Sequence, residues 1–175
     1  MKSAAELRDD LMDALFPGIP SEAPPELDEA LACVEQGACL APESPDSRLS
    51  PLGAAASRGD ARLVAAMLER GAGVDQRMKD GWTPLMLACR EGNAGTAAVL
   101  IDHGADLHAV NDHGATSFSL ADFNGYEHVK DLLIGAERAK EKREADARFA
   151  AEVASMHIAQ RPVAVGHALR LQRRM

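Results

Sequence analysis

One segment of this 175-residue chain is written three times at a fixed spacing, and that spacing limits the fold more than any other property. SPLGAAASRGDARLVAAMLERGAGVD begins at Ser50, TPLMLACREGNAGTAAVLIDHGADLH at Thr83 and TSFSLADFNGYEHVKDLLIGAER at Thr116, so each step is 33 residues. Gly59, Gly92 and Gly125 fall in register, as do Ala55, Ala88 and Ala121, and the pairs Met67-Leu68, Leu100-Ile101 and Leu133-Ile134. A unit this short cannot bury its own apolar face, so the units have to stack on one another.

Each unit reads locally as two short helices. Ser50 or Thr83 can cap a helix whose first turn holds Pro51 or Pro84, where proline's missing N–H costs nothing. The mid-unit glycine suits the left-handed residue that ends this helix. A second, more apolar helix follows, closed by Gly71 or Gly104.

The period, the TPLMLA segment at Thr83 to Ala88, the mid-unit glycine and the GADLH segment at Gly104 to His108 resemble the ankyrin repeat. The resemblance covers about Asp46 to Gly135, with a fainter half-unit before it, LDEALACVEQGACL, in which Gly37-Ala38 precedes Gly71-Ala72 by 34 residues. The expected fold is an all-α solenoid of about three repeats, with an N-terminal helical cap and partial repeat over 1–45, repeats over 46–136, and a C-terminal helix and basic tail over 137–175. Some positions depart from the family pattern. Met86 stands where the family usually has histidine, Gly95 and Thr96 weaken the middle unit's second helix, and Arg48 replaces the turn glycine of the first unit.

At the ends, Ser3 with Glu6 forms a capping box ahead of Leu7, Leu11, Ala14 and Leu15. Pro25 to Gln36 reads as another helix, with Leu27, Leu31 and Val34 aligned. In the last unit Glu137 replaces the closing glycine, and no breaker appears before Pro162, which predicts a long C-terminal helix. Its stripe of Ala145, Phe149, Val153 and Met156 is apolar at helical spacing. Packing back on the last repeat as a cap is the favoured reading of that stripe, with a partner-binding helix as the alternative.

Composition narrows the function classes. Residues 1–136 hold 10 Lys and Arg against 22 Asp and Glu, a net of −12, while residues 137–175 hold 9 against 5, a net of +4. The acidic body argues against duplex DNA as its partner, and Arg170, Arg173 and Arg174 read as a solvated tail. No apolar run is long enough to span a membrane, and the acidic N-terminus is unlike a secretory signal, so a cytoplasmic location is expected. Cys33, Cys39 and Cys89 form no CxxC pair and read as free, partly buried thiols. His103, His108, His113 and His128 crowd the last two units at spacings that suit separate surface roles better than a metal cage. There is no phosphate-binding glycine loop, HExxH or GxSxG, so neither enzyme activity nor a cofactor is expected.

The resemblance implies a protein-binding module that uses the hairpin tips and first helices as one concave groove. Carried over by position, it puts Trp82 at the base of a finger, Arg90 and Phe123 with Ser57 in one column, and Glu91 and Asn124 with Arg58 in the next. Lys79, Asp80, Asp112 and His113 decorate the tips. Trp82, Arg90 and Phe123 are the expected anchors, with Glu91 and Arg58 setting specificity, because tryptophan and arginine dominate interface energies. Against this stand a Trp82 folded over its own hairpin and a Phe123 packed under the C-terminal helix. An adaptor or inhibitor acting as a monomer on a protein with a basic surface is the leading expectation. An immunity protein that neutralises a toxin is a special case of it, and a nucleic-acid-associated factor targeted by the basic tail is the alternative.

Overall fold

Ser50, Thr83 and Thr116 start the three repeated units in the same way. Ser50 Oγ accepts the Gly53 amide at 3.0 Å, Thr83 Oγ1 the Met86 amide at 3.3 Å and Thr116 Oγ1 the Ser119 amide at 3.2 Å. Each hydroxyl satisfies an amide that a helix start leaves without a partner. Ser119 Oγ returns the bond to the Thr116 amide at 2.8 Å, completing a capping box in the unit that lacks proline.

The computed structural model describes residues 2–15, 27–37 and 49–159. The helices are α1 (Ala4–Leu15), α2 (Leu27–Glu35), α3 (Pro51–Arg58), α4 (Ala61–Glu69), α5 (Pro84–Glu91), α6 (Ala94–Asp102), α7 (Ser117–Phe123) and α8 (Glu127–Ala159). No strand occurs among the described residues. The all-α repeat solenoid expected from the sequence is the fold that forms. Gly92 ends α5 at φ 78°, a left-handed conformation that a side chain would strain. Gly37 ends α2 at φ 93°, matching Gly71 at 89° and Gly104 at 88°, so the faint N-terminal half-unit keeps the register of the full ones.

The first helices α3, α5 and α7 pack side by side in one layer, and the second helices α4 and α6 in another. At the N-terminal end α1 packs on α2 and α3, and α2 on α4, which continues both layers by one pair. Arg70 fastens that junction by donating from Nη1 to the Val34 and Glu35 carbonyls at 3.2 and 2.9 Å, at the end of α2. Leu7, Leu11 and Val34 from this end join Leu52, Leu63, Met67, Leu85, Leu100 and Val129 in one buried cluster, so the cap shares the core of the repeats. The Ser3–Glu6 capping box is present, with Glu6 Oε2 accepting the Ser3 amide at 2.6 Å and Ser3 Oγ the Glu6 amide at 3.2 Å.

Gly95 and Thr96 do not shorten α6, whose nine residues equal those of α4. Thr96 is buried and packs where Leu63 and Val129 stand in the other units, so tertiary packing outweighs its low helix propensity.

The chain divides into two units, Met1–Glu137 and Arg138–Met175. α8 runs unbroken from Glu127 to Ala159, the long helix that the missing glycine predicts. Ala145, Phe149 and Val153 are all exposed, Phe149 at 69%, so these side chains do not pack into a core. Met156, the last member of the stripe, lies outside the described side chains, as Cys39, Arg48 and the tail with Arg170, Arg173 and Arg174 lie outside the described residues.

Candidate functional site

The hairpin fingers are tied to each other before any partner is considered. In the second finger Met78 donates its amide to Trp82 O at 2.9 Å, and in the third Asn111 donates to Ala115 O at 3.0 Å. Between fingers, Asp112 N donates to Asp80 O at 3.0 Å. Asp80 takes the left-handed conformation at φ 57°, tolerable for an aspartate in a turn. Asn111 Oδ1 accepts both the His113 and Ala115 amides, at 3.0 and 2.8 Å, which fixes the third tip from inside. Lys79, Asp80, Asp112 and His113 are therefore exposed on tips held in register by backbone bonds.

Trp82 leaves the tip half-buried, at the last residue before the Thr83 cap. Arg90, one helix away at the end of α5, lays its guanidinium over the indole with Cζ 5.0 Å from the ring centroid. Glu91 holds that guanidinium: Arg90 Nε and Nη2 both reach Glu91 Oε1 at 2.8 Å. Three residues named from the sequence thus form one contiguous surface cluster. Its salt bridge alone contributes little, since Arg90 and Glu91 side chains are about two-fifths exposed.

Residues 39–145, more than half of the chain, match the family described as ankyrin repeats, in three copies. The chain is an ankyrin-repeat protein. It is 37% identical over 89 residues to human protein phosphatase 1 regulatory subunit 27, across 51% of this chain and 57% of that protein. To zygote-specific protein 3 of Chlamydomonas reinhardtii it is 45% identical over 92 residues, across 51% of this chain and 24% of that one. To the human NAD-capped RNA hydrolase NUDT12 it is 33% identical over 86 residues, covering 49% of this chain but only 19% of the enzyme. The chain spans about half or less of the length of these curated relatives. Its ankyrin repeats mark it as a protein-binding module, and a regulatory subunit stands among its relatives.

The remaining site residues of this ankyrin-repeat protein fall into distinct settings. Phe123, the residue of α7 aligned with Arg90, is 89% exposed, so it is not packed under a helix. Asn124 is exposed and turns its Nδ2 back to Leu120 O at 2.8 Å. Arg58 Nε pairs with Asp60 at 3.0 Å, its side chain partly covered. The structure therefore gathers Trp82, Arg90 and Glu91, joins the tips of Asp80 and Asp112, and leaves Phe123 out on its own helix end.

Between the repeats lie contacts the sequence reading passed over. Asn93 Nδ2 donates to the Ala56 and Ser57 carbonyls at 3.1 and 2.8 Å, satisfying the end of the preceding unit's first helix. Tyr126 holds the equivalent place one unit on, its ring against Gly92. His128 Nε2 makes a 3.1 Å bond to Gly92 O. These residues explain why stacking succeeds without the usual histidine at Met86, which is fully buried instead.

No group of His, Cys, Asp and Glu suited to a metal ion occurs among the described residues. His103 Nδ1 lies 2.8 Å from its own helix's Val99 O, and His108 lies 3.4 Å from Glu137. Cys89 is core: burial pushes its thiol up to about 12, and the nearby Ser117 hydroxyl opposes that shift. No helix among the described residues is long and apolar enough to cross a membrane.

Proposed function

We propose that this ankyrin-repeat protein is an adaptor or inhibitor that takes a partner protein on the face formed by its finger tips and the ends of its first helices. Trp82, Arg90 and Phe123 are its anchors, and Glu91 and Arg58 tune which partner is accepted. One observation supports this above others: the Trp82–Arg90–Glu91 cluster is fully assembled yet only half-covered. An aromatic ring and a guanidinium already fixed in place lose little side-chain entropy when a partner covers them. The acidic body, at −12 over residues 1–136, favours a partner with a basic surface through long-range steering. The narrower role of neutralising a toxin has size and charge alone behind it.

The test is capture from the source cell extract with the wild-type chain and a Trp82→Ala/Arg90→Ala variant shown by circular dichroism to remain folded. A protein retained by wild type and lost by the variant supports the proposed face. Equal retention by both would remove these residues from the binding surface.

A further inference from the structure

Aromatic and cationic residues are distributed unequally between the second and third units. In the second, the chain completes its own arrangement: the aromatic Trp82 carries Arg90 on its face, and Glu91 compensates the guanidinium at 2.8 Å. In the third, the column position of Arg90 is taken by Phe123, and that of Glu91 by Asn124. Phe123 is 89% exposed, the highest value of any large apolar side chain described. No cation lies over its ring among the described contacts, whereas Phe118 in the same helix has Lys130 Nζ 5.9 Å from its centroid.

Lys130, Arg58 and Arg90 are already committed to carboxylates. Lys130 Nζ lies 2.6 Å from Asp122 and 3.2 Å from Glu127, two carboxylates around one ammonium. Arg58 and Arg90 have Asp60 and Glu91. Phe123 follows Asp122 directly in the chain and precedes Glu127 across the Gly125 turn, and those two side chains are 60% and 75% exposed. The third unit therefore presents an open aromatic ring flanked in sequence by two exposed carboxylates that share one ammonium.

We infer that the partner supplies the missing cation: an arginine of a basic segment stacks on Phe123 and is held by the Asp122 and Glu127 carboxylates, as Arg90 on Trp82 is held by Glu91. Arginine fits better than lysine, because its planar guanidinium can lie on a ring and bond a carboxylate at the same time. The inference rests on the proposed binding face and names the chemistry of its third unit.

The probe is an acetylated heptapeptide of alternating glycine and arginine, compared with its lysine and glutamate counterparts. Each is titrated into the full-length chain while the aromatic resonances of Phe123, assigned by comparison with Phe123→Leu, and the Trp82 indole resonance are followed separately by NMR. The expected result is a salt-sensitive shift at Phe123 with the arginine peptide, a smaller one with lysine and none with glutamate. Affinity should fall about three- to fivefold in Phe123→Leu, which keeps the apolar bulk and removes the ring, and by a similar factor in Glu127→Gln. Arginine-peptide binding that is equal in wild type and Phe123→Leu would overturn the inference as generic attraction to an acidic body, and so would absence of binding. Loss of the natural partner in Trp82→Ala/Arg90→Ala but not in Phe123→Leu would keep the binding face and overturn the cation site alone.

Discussion

Lys130 Nζ sits 2.6 Å from Asp122 Oδ1, at two positions that the earlier units fill with apolar residues. Counting by 33, Asp122 follows Ala56 and Cys89, and Lys130 follows Val64 and Ala97, all four of them fully buried. The last unit thus replaces stacking positions by an ion pair, with Glu127 as a second carboxylate that raises the Lys130 pKa further after Asp122. A solenoid needs such a polar outer face where it stops. Restoring apolar side chains there, as Asp122→Ala/Lys130→Ala, should leave the fold intact and make the end adhesive. Light scattering should show concentration-dependent association of the double variant and none for wild type; identical behaviour would mean the pair is not what ends the stack.

That pair was legible in the sequence, but only to a different question. The repeat was found from what the units share, Gly59, Gly92 and Gly125 or Ala55, Ala88 and Ala121, because identical local chemistry gives identical caps and turns. Asp122 and Lys130 carry information in how they differ from the column above them. Trp82, Arg90 and Glu91 could be placed by counting, since 33-residue register fixes which positions share a face. The direction of the Arg90 side chain could not, because a long exposed chain has several rotamers and only the position of the Trp82 ring selects among them. The stripe of Ala145, Phe149 and Val153 shows the converse limit: helical periodicity states which residues share a face, and nothing about whether anything covers it.

Gly92 and Gly125 offer a matched comparison, with φ 78° and 74°. Alanine at either position costs about 1 kcal/mol or somewhat more from the left-handed backbone alone. At Gly125 an added Cβ meets nothing within 4 Å, whereas at Gly92 it would stand 2.8 Å from Tyr126 ring carbons. Gly92→Ala should therefore lose about twice as much stability as Gly125→Ala or more, since overpacking adds about 1–3 kcal/mol. Urea unfolding of the two variants decides it; equal losses would show that Tyr126 moves aside freely.

Asn93 is the hydrogen-bond link between the first two units. Its amide nitrogen serves the Ala56 and Ser57 carbonyls, both in a partly buried setting. Asn93→Ala leaves these without their donor and should cost about 1–2 kcal/mol. Asn93→Asp, nearly the same in shape, replaces a donor by a carboxylate facing two carbonyl oxygens and should cost more at pH 7 than alanine does. Aspartate tolerated better than alanine would show that water, not the Asn93 amide, satisfies the end of α3.

Cys89 links stability to alkaline pH. The folded thiol keeps its proton to about pH 12, above the ordinary value of 9.0, because ionising it would bury a thiolate. The protonated thiol is thus favoured by folding. Its contribution is complete below about pH 9, where both states hold the proton, and is lost as the pH climbs from there toward 12. The urea midpoint of wild type should fall across pH 9 to 11 more steeply than that of Cys89→Ala, which carries the residue found at Ala56. Parallel pH profiles would mean that the thiol is accessible in the folded chain.

The single tryptophan makes the candidate anchor observable without a partner. Arg90 covers one face of the Trp82 ring, and Glu91 restrains Arg90 through two nitrogens. Arg90→Ala uncovers that face to water, so Trp82 emission should move to longer wavelength, while stability changes by less than about 1 kcal/mol because both side chains are partly exposed. Glu91→Gln keeps a hydrogen-bond acceptor but removes its charge, weakening the hold on the guanidinium, and should give a smaller shift in the same direction. High salt should reproduce the effect of Glu91→Gln in wild type and add little in Arg90→Ala. Emission unchanged in Arg90→Ala would mean that the guanidinium does not rest on Trp82 in solution, and the preorganised surface on which binding is proposed would lose its basis.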